Sequence, residues 1–151
     1  MITLKRILVP TDFSDYSKGA ITYACELAQR FGADLKLLHV GMPPVTPVPF
    51  GPTMSDQMFQ TKETAKKAFE ELDAPGLDRV SRVDRVLRIG TPFVEIVRYA
   101  REDDIDLIVM GTHGHTGLVH ALIGSVAEKV VRMASCPVLT IRPKGHQFVM
   151  P

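Results

Sequence analysis

The stretch GTHGHTGLVHALIGS, Gly111 to Ser125, follows directly on the apolar run IDLIVM. Gly111 and Gly114 allow the backbone to take φ > 0 and let a ligand approach without a Cβ in the way. Beyond them SVAEKVVRMAS predicts a helix that starts near Gly124 and Ser125. The first N–H groups of such a helix have no partner within it. With the positive end of the helix dipole they make an anion site, and a phosphate is its natural occupant. A second reading stands beside this one. SVAE also fits a capping box, with Ser125 as N-cap and Glu128 reaching back, which would occupy donors and add negative charge. Spacing leaves both readings open.

More specific phosphate motifs are excluded. A P-loop needs G-x-x-x-x-G-K-[ST], and no lysine or arginine occurs between Gly111 and Glu128. The dinucleotide fingerprint is absent too, since the first apolar run, RILVP, leads into TDFSD rather than glycines. His113 and His115, with no nearby carboxylate or cysteine, are a weak metal-ligand set.

The elements that must position this loop are legible as alternating patterns. RILVP (Arg6 to Pro10) and DLIVMG (Asp106 to Gly111) are short apolar runs, as expected of strands buried on both faces. DLKLLHV (Asp34 to Val40) reads as a second strand and PVLTIRP (Pro137 to Pro143) as a last one. VSRVDRVLRIG (Val80 to Gly90) alternates apolar with charged residues, the pattern of a sheet edge. Between them lie helical patterns. The first has Ser14 as N-cap, a stripe of Ala20, Ala24, Leu27, Ala28 and Phe31, and Gly32 at its end. A charged helix is expected over Ser55 to Leu72, with Met58, Ala65, Phe69 and Leu72 on its apolar side. The next opens at Thr91-Pro92. Strands alternating with helices argue for an α/β fold, an open parallel sheet covered on both faces. In such sheets ligands bind beyond the strands' carboxyl ends, where the strand order reverses.

Composition bounds the rest. With 151 residues, 45% hydrophobic and 23% charged, the chain suits one globular domain. A formal net charge of +1 gives no reason to expect nucleic acid or an anionic membrane as partner. The two cysteines, Cys25 and Cys136, sit in no paired spacing and read as free thiols. Neither an export signal nor a membrane span is evident, so a cytoplasmic protein is expected. The loop Gly41 to Thr53 is proline-rich, and proline lacks the N–H that a helix or central strand requires.

Gly111, Gly114, Gly124 and Ser125 fill the pattern G-x2-G-x9-G-[ST] after the fourth strand. Together with ILVPTDFS at the start, GTP before the third helix and CPVLTIRP near the end, they make the chain resemble the universal stress protein family, specifically its ATP-binding branch. The resemblance runs over about residues 3 to 143. It implies a single domain over 1–143 with a short tail at 144–151, and an adenine nucleotide alpha hydrolase-like sheet ordered 3-2-1-4-5. That order sets strands 1 and 4 side by side at the reversal, with Asp12 beside the Gly111 loop. On the resemblance, Asp12 accepts hydrogen bonds from ribose hydroxyls or helps hold Mg²⁺; the plainer alternative is a cap on the first helix. Backbone groups near Thr11 and Val40 meet the adenine, although Val40 also fits as strand core. Pro10 and Met110 complete the walls, and N–H groups around His113, Gly114, Ser125 and Val126 cradle the phosphates. The implied role is an ATP-binding stress sensor, a homodimer through its last strand (Pro137 to Arg142), turning ATP over slowly if at all. A nucleotide-free interaction module is the rival.

Overall fold

A computed structural model describes residues 1–44, 49–113 and 123–143. The elements run β1 (Arg6–Pro10), α1 (Asp15–Phe31), β2 (Asp34–Gly41), α2 (Met54–Glu70), β3 (Val83–Ile89), α3 (Pro92–Glu102), β4 (Leu107–Gly111), α4 (Ser125–Met133) and β5 (Val138–Ile141). The strands form one parallel sheet in the order β3-β2-β1-β4-β5, as expected.

The absence of alternation in β1 has a direct cause. Ile7 and Val9 join a core with Ala20, Ala24, Leu35, Leu37 and Phe69 beneath α1 and α2. Leu8, between them, joins the opposite core with Leu38, Ile96, Ile108 and Val130 beneath α3 and α4. A strand covered on both faces needs an apolar residue at every position. The small side chains of Ala20, Ala24 and Ala28 form the buried stripe of α1.

Local signals set the helix ends. The Ser14 side chain caps α1, and Gly32 ends it in the left-handed region at φ 64. Pro92 opens α3 behind Thr91. A complete capping box between Thr53 and Asp56 starts α2 at Met54, one residue before the expected start. Three expectations are corrected. Phe31, placed on the buried stripe of α1, is exposed in its last turn. The expected strand from Val80 begins only at Val83, because Leu77–Arg79 form a 3₁₀ turn that buries Val80. Ser125 is not the N-cap of α4; Gly124 is, and no side chain caps it.

Both cysteines are free, with Cys25 buried and Cys136 half-buried. Burial pushes the Cys25 thiol up to about 11. Among the described residues no helix is long and apolar enough to cross a membrane. The expected tail, 144–151, lies outside the described residues.

Candidate functional site

At the carboxyl ends of β1 and β4, where the strand order reverses, the chain leaves the sheet in opposite directions. The β1 exit is a tightly bonded turn. Thr11 N donates to Leu38 O as a last rung with β2. The buried Thr11 hydroxyl lies 2.9 Å from Ser17 Oγ and accepts from Phe13 N at 3.0 Å. Asp12 Oδ1 accepts from both the backbone N and the hydroxyl of Ser14. Asp12 is thus not the cap of α1; it braces Ser14, which is.

The β4 exit is shaped by its glycines, for a reason different from the one expected. Neither Gly111 nor Gly124 has a positive φ. A Cβ on Gly111 would stand 3.2 Å from the Tyr16 carbonyl oxygen, and one on Gly124 only 2.8 Å from the Thr112 carbonyl oxygen. Gly124 N also donates to that Thr112 oxygen. The two glycines let backbone lie on backbone, and so bring the start of α4 against the end of β4. Gly114, the second glycine of the sequence motif, lies outside the described residues.

This geometry decides between the two readings of SVAE as far as capping goes. With Gly124 as N-cap at φ −69, ψ 154, Ser125 is the first residue of the helix and its hydroxyl caps nothing. Glu128 does not reach back either; its carboxylate pairs with Arg132 one turn on, at 2.9 Å. Among the described residues the N–H groups of the first turn of α4 therefore meet no capping side chain, and the carboxylate of that turn, Glu128, is drawn to Arg132 rather than to them.

Between these two exits lies a cavity of about 400 Å³, within the range usual for small-molecule sites. Pro10, Thr11, Asp12, Val40, Met110, Gly111, His113, Gly124, Ser125 and Val126 all line it. Sequence reasoning missed Ser17, Leu38, His39, Met42, Pro92, Ile96, Thr112 and Ala127 in the same wall. His39 and Thr112 are each one residue from a position the motif named, so they were within reach. Pro92 and Ile96 come from α3; Pro92 belongs to the GTP motif already noted, but its spacing gives no sign that it meets this loop. Among the described lining residues Asp12 is the one carboxylate, and no lysine or arginine is present. His113 Nδ1 lies 2.8 Å from the Thr112 hydroxyl. No group of three His, Cys, Asp or Glu able to hold a metal exists among the described residues.

The backbone of Val40 completes the site. In a parallel ladder, successive residues turn their N–H and C=O to opposite neighbours. Leu38 bonds toward β1, through Thr11 N, and Gly41 toward β3, through Gly90 N. Val40 therefore turns both groups toward the β1 side, but the β1 register stops at Pro10 opposite Leu38. Among the described residues this donor and acceptor have no backbone partner on the β1 side, and they share the cavity lining with the apolar side chains of Val40, Met42, Ile96 and Met110.

Known proteins share this plan. A model of the universal stress protein family matches residues 3–142. Universal stress protein MJ0531 of Methanocaldococcus jannaschii is 34% identical, over 91% of this chain and 82% of its own length. The structure of universal stress protein UspA from Lactobacillus plantarum, 30% identical, covers 94% of this chain and 100% of its own, with a TM-score of 0.79. A universal stress protein from Archaeoglobus fulgidus in complex with dAMP is alike in fold, at 24% identity over 93% of this chain and 98% of its own and a TM-score of 0.59. Matched along nearly its whole length by sequence and by strand order alike, the chain belongs to the universal stress protein family.

Proposed function

We propose that the cavity between β1 and β4 binds ATP, and that the protein is a cytoplasmic stress-response sensor or regulator working as a homodimer. One observation carries this reading: the start of α4, with no capping side chain among the described residues, and the backbone edge of Val40 line one and the same cavity. The first offers N–H donors to phosphates; the second offers one donor and one acceptor, the complement of an adenine edge. Asp12 lines the same cavity, and its carboxylate would serve ribose hydroxyls as an acceptor. Ser125 adds a hydroxyl, and Gly111, His113, Gly114 and Val126 supply backbone to the cradle, with Pro10, Thr11 and Met110 as walls. Mg²⁺ would arrive on the phosphates, with Asp12 as the one carboxylate of the described wall, since magnesium commonly keeps water and phosphate oxygens as its main ligands. The described wall holds no arginine to act as a finger on a transferring phosphoryl group, and fast turnover is not proposed.

The fold neighbour from Archaeoglobus fulgidus was solved with dAMP; at its identity this speaks for what the fold accommodates, not for these residues. The rival reading, a nucleotide-free interaction module, draws on the packing of Gly111 and Gly124 against protein backbone, which explains both without a ligand. Denaturing the freshly purified protein and identifying released nucleotide by mass spectrometry separates the two, with titration of added Mg-ATP beside it. We expect ATP or ADP, or saturable binding near one site per chain. No nucleotide and no binding would leave the interaction module standing.

The dimer is a separate element. β5 is an outer strand, and Ile108 N bonds to Pro137 O while Thr112 N bonds to Ile141 O. Odd-numbered residues of β5 thus face β4, and the Thr140 N–H points outward, beside the partly exposed Leu139. An open edge of this kind invites a second strand. Light scattering is expected to give twice the 16.7 kDa chain mass. Thr140→Pro, which removes an outward N–H and spares the β4 ladder, is expected to give the monomer. A monomeric parent would end the dimer claim.

A further inference from the structure

We infer that His39 is a positioning residue that ends the β1–β2 ladder: its Nδ1–H takes the Thr11 carbonyl, and this keeps the Val40 N–H out of the sheet and open to the cavity. Beyond Thr11 N to Leu38 O, the next rung of that ladder would run from Val40 N to Thr11 O. The Thr11 carbonyl instead lies 2.8 Å from His39 Nδ1. A carbonyl can only accept, so Nδ1 carries the proton and the tautomer of the neutral ring is fixed.

One occupied lone pair would not by itself exclude Val40, because a carbonyl has two. The rest of the turn supplies what is missing. Phe13 takes φ 63, in the left-handed region that bulky residues avoid. Its N–H folds back onto Thr11 Oγ1 at 3.0 Å. The Phe13 ring is held between the His39 ring, at 4.6 Å between centroids, and the edge of Phe69, at 4.9 Å. One imidazole thus grips the turn twice, by hydrogen bond at Thr11 and by ring contact at Phe13. The residue between them is Asp12. His39 is half-buried and lines the cavity.

The inference adds to the nucleotide reading and is tested apart from it, by amide hydrogen exchange of Val40 in the protein without added ligand. In the parent protein the Val40 amide is expected to exchange fast for a sheet residue. His39→Phe keeps a ring against Phe13 and removes the donor. The freed Thr11 carbonyl then accepts from Val40, whose exchange is expected to slow by about threefold to tenfold, the strength of one ordinary hydrogen bond. ATP affinity is expected to fall by a similar factor. His39→Asn, whose amide stands in for Nδ1–H, is expected to restore fast exchange and affinity. His39→Gln reaches the Nε2 position instead and is expected to follow His39→Phe, so one of the two suffices if the other fails to fold. General loosening would make Val40 exchange faster, not slower. A Val40 amide already protected in the parent, or unchanged or faster in both variants, would overturn the inference. The expected exchange pattern in a protein that binds no ATP would uphold the ladder and sink the nucleotide reading alone.

Discussion

Gly124→Ala is expected to reduce ATP affinity more than tenfold and to destabilise the fold by about 1–3 kcal/mol, the usual cost of forcing atoms into a packed site. The added Cβ would stand 2.8 Å from the Thr112 carbonyl oxygen, closer than real Cβ atoms come to backbone. Neither partner can yield cheaply. Thr112 is 1% exposed and its N–H is bonded to Ile141 O, while Gly124 N is itself hydrogen-bonded to the Thr112 oxygen. The start of α4 must therefore move away from the end of β4. A hydrogen bond to a charged group contributes about 1.5–3 kcal/mol, so misplacing a single phosphate donor already accounts for the loss in affinity. Gly19→Ala is the control. Gly19 lies in α1 with nothing within 4 Å of where a methyl would stand, and alanine there is expected to stabilise by about 0.5–1 kcal/mol without touching affinity. Calorimetric titration with ATP and urea melts of both variants make the comparison. If Gly124→Ala binds ATP as the parent does, α4 does not form the cradle.

That glycine also marks where sequence reasoning reached and where it stopped. Spacing singled out Gly111 and Gly124, because few other residues leave so plain a signal, yet it assigned Gly111 backbone freedom that the structure does not use. The need is steric, and it depends on Tyr16 and Thr112, which only the folded chain brings close. Ser125 shows the same limit. The letters of a capping box were present, but helix α4 starts one residue early, and Glu128 finds Arg132 instead. A true capping box at Thr53 and Asp56 passed unread, although its letters are as plain. Strand order came through the family resemblance; the buried character of β1 and β4 came from their unbroken apolar runs. What had no sequence signal was contact between distant elements. Pro92 and Ile96 enter the cavity wall from α3; the GTP motif flagged Pro92 as part of the family pattern but not as part of this wall, and Ile96 left no signal at all.

Lys36 is the sharpest case of that silence, and it carries the second large effect. A lysine in the apolar run DLKLLHV is 7% exposed in the central part of the sheet. Its partner stands directly opposite on β3, Asp84, with Nζ 2.5 Å from Oδ2. Asp103, at the end of α3, lies 3.6 Å from the same Nζ and accepts from the Tyr99 hydroxyl at 3.4 Å. Burial alone would lower the pKa of Lys36, but the bond to Asp84 and the charges of Asp103, Asp84 and Tyr99 outweigh it, and the pKa stands above its usual value. The ammonium is therefore charged at every pH at which the protein is handled, and removing its partner strands it. Asp84→Ala is expected to cost about 2–3 kcal/mol, somewhat under the range for a fully buried broken pair because Asp103 remains. Lys36→Met, which takes the buried charge away, is expected to cost less than half of that; the carboxylate left behind is one-third exposed and has Arg82 at 3.4 Å. The hydrogen bond from Lys36 is also what chiefly holds the Asp84 carboxyl below its usual value of 3.8. A carboxyl with a lower pKa folded than unfolded stabilises the fold above the unfolded value, and that contribution fades as the pH falls through the folded one. The gap between the parent and Lys36→Met is accordingly expected to be flat from neutral pH down to about 5 and to shrink below about 4. Urea melts across that window decide it: if Lys36→Met costs as much as Asp84→Ala, or if the gap is constant with pH, the pair holds β2 to β3 by packing and not by charge.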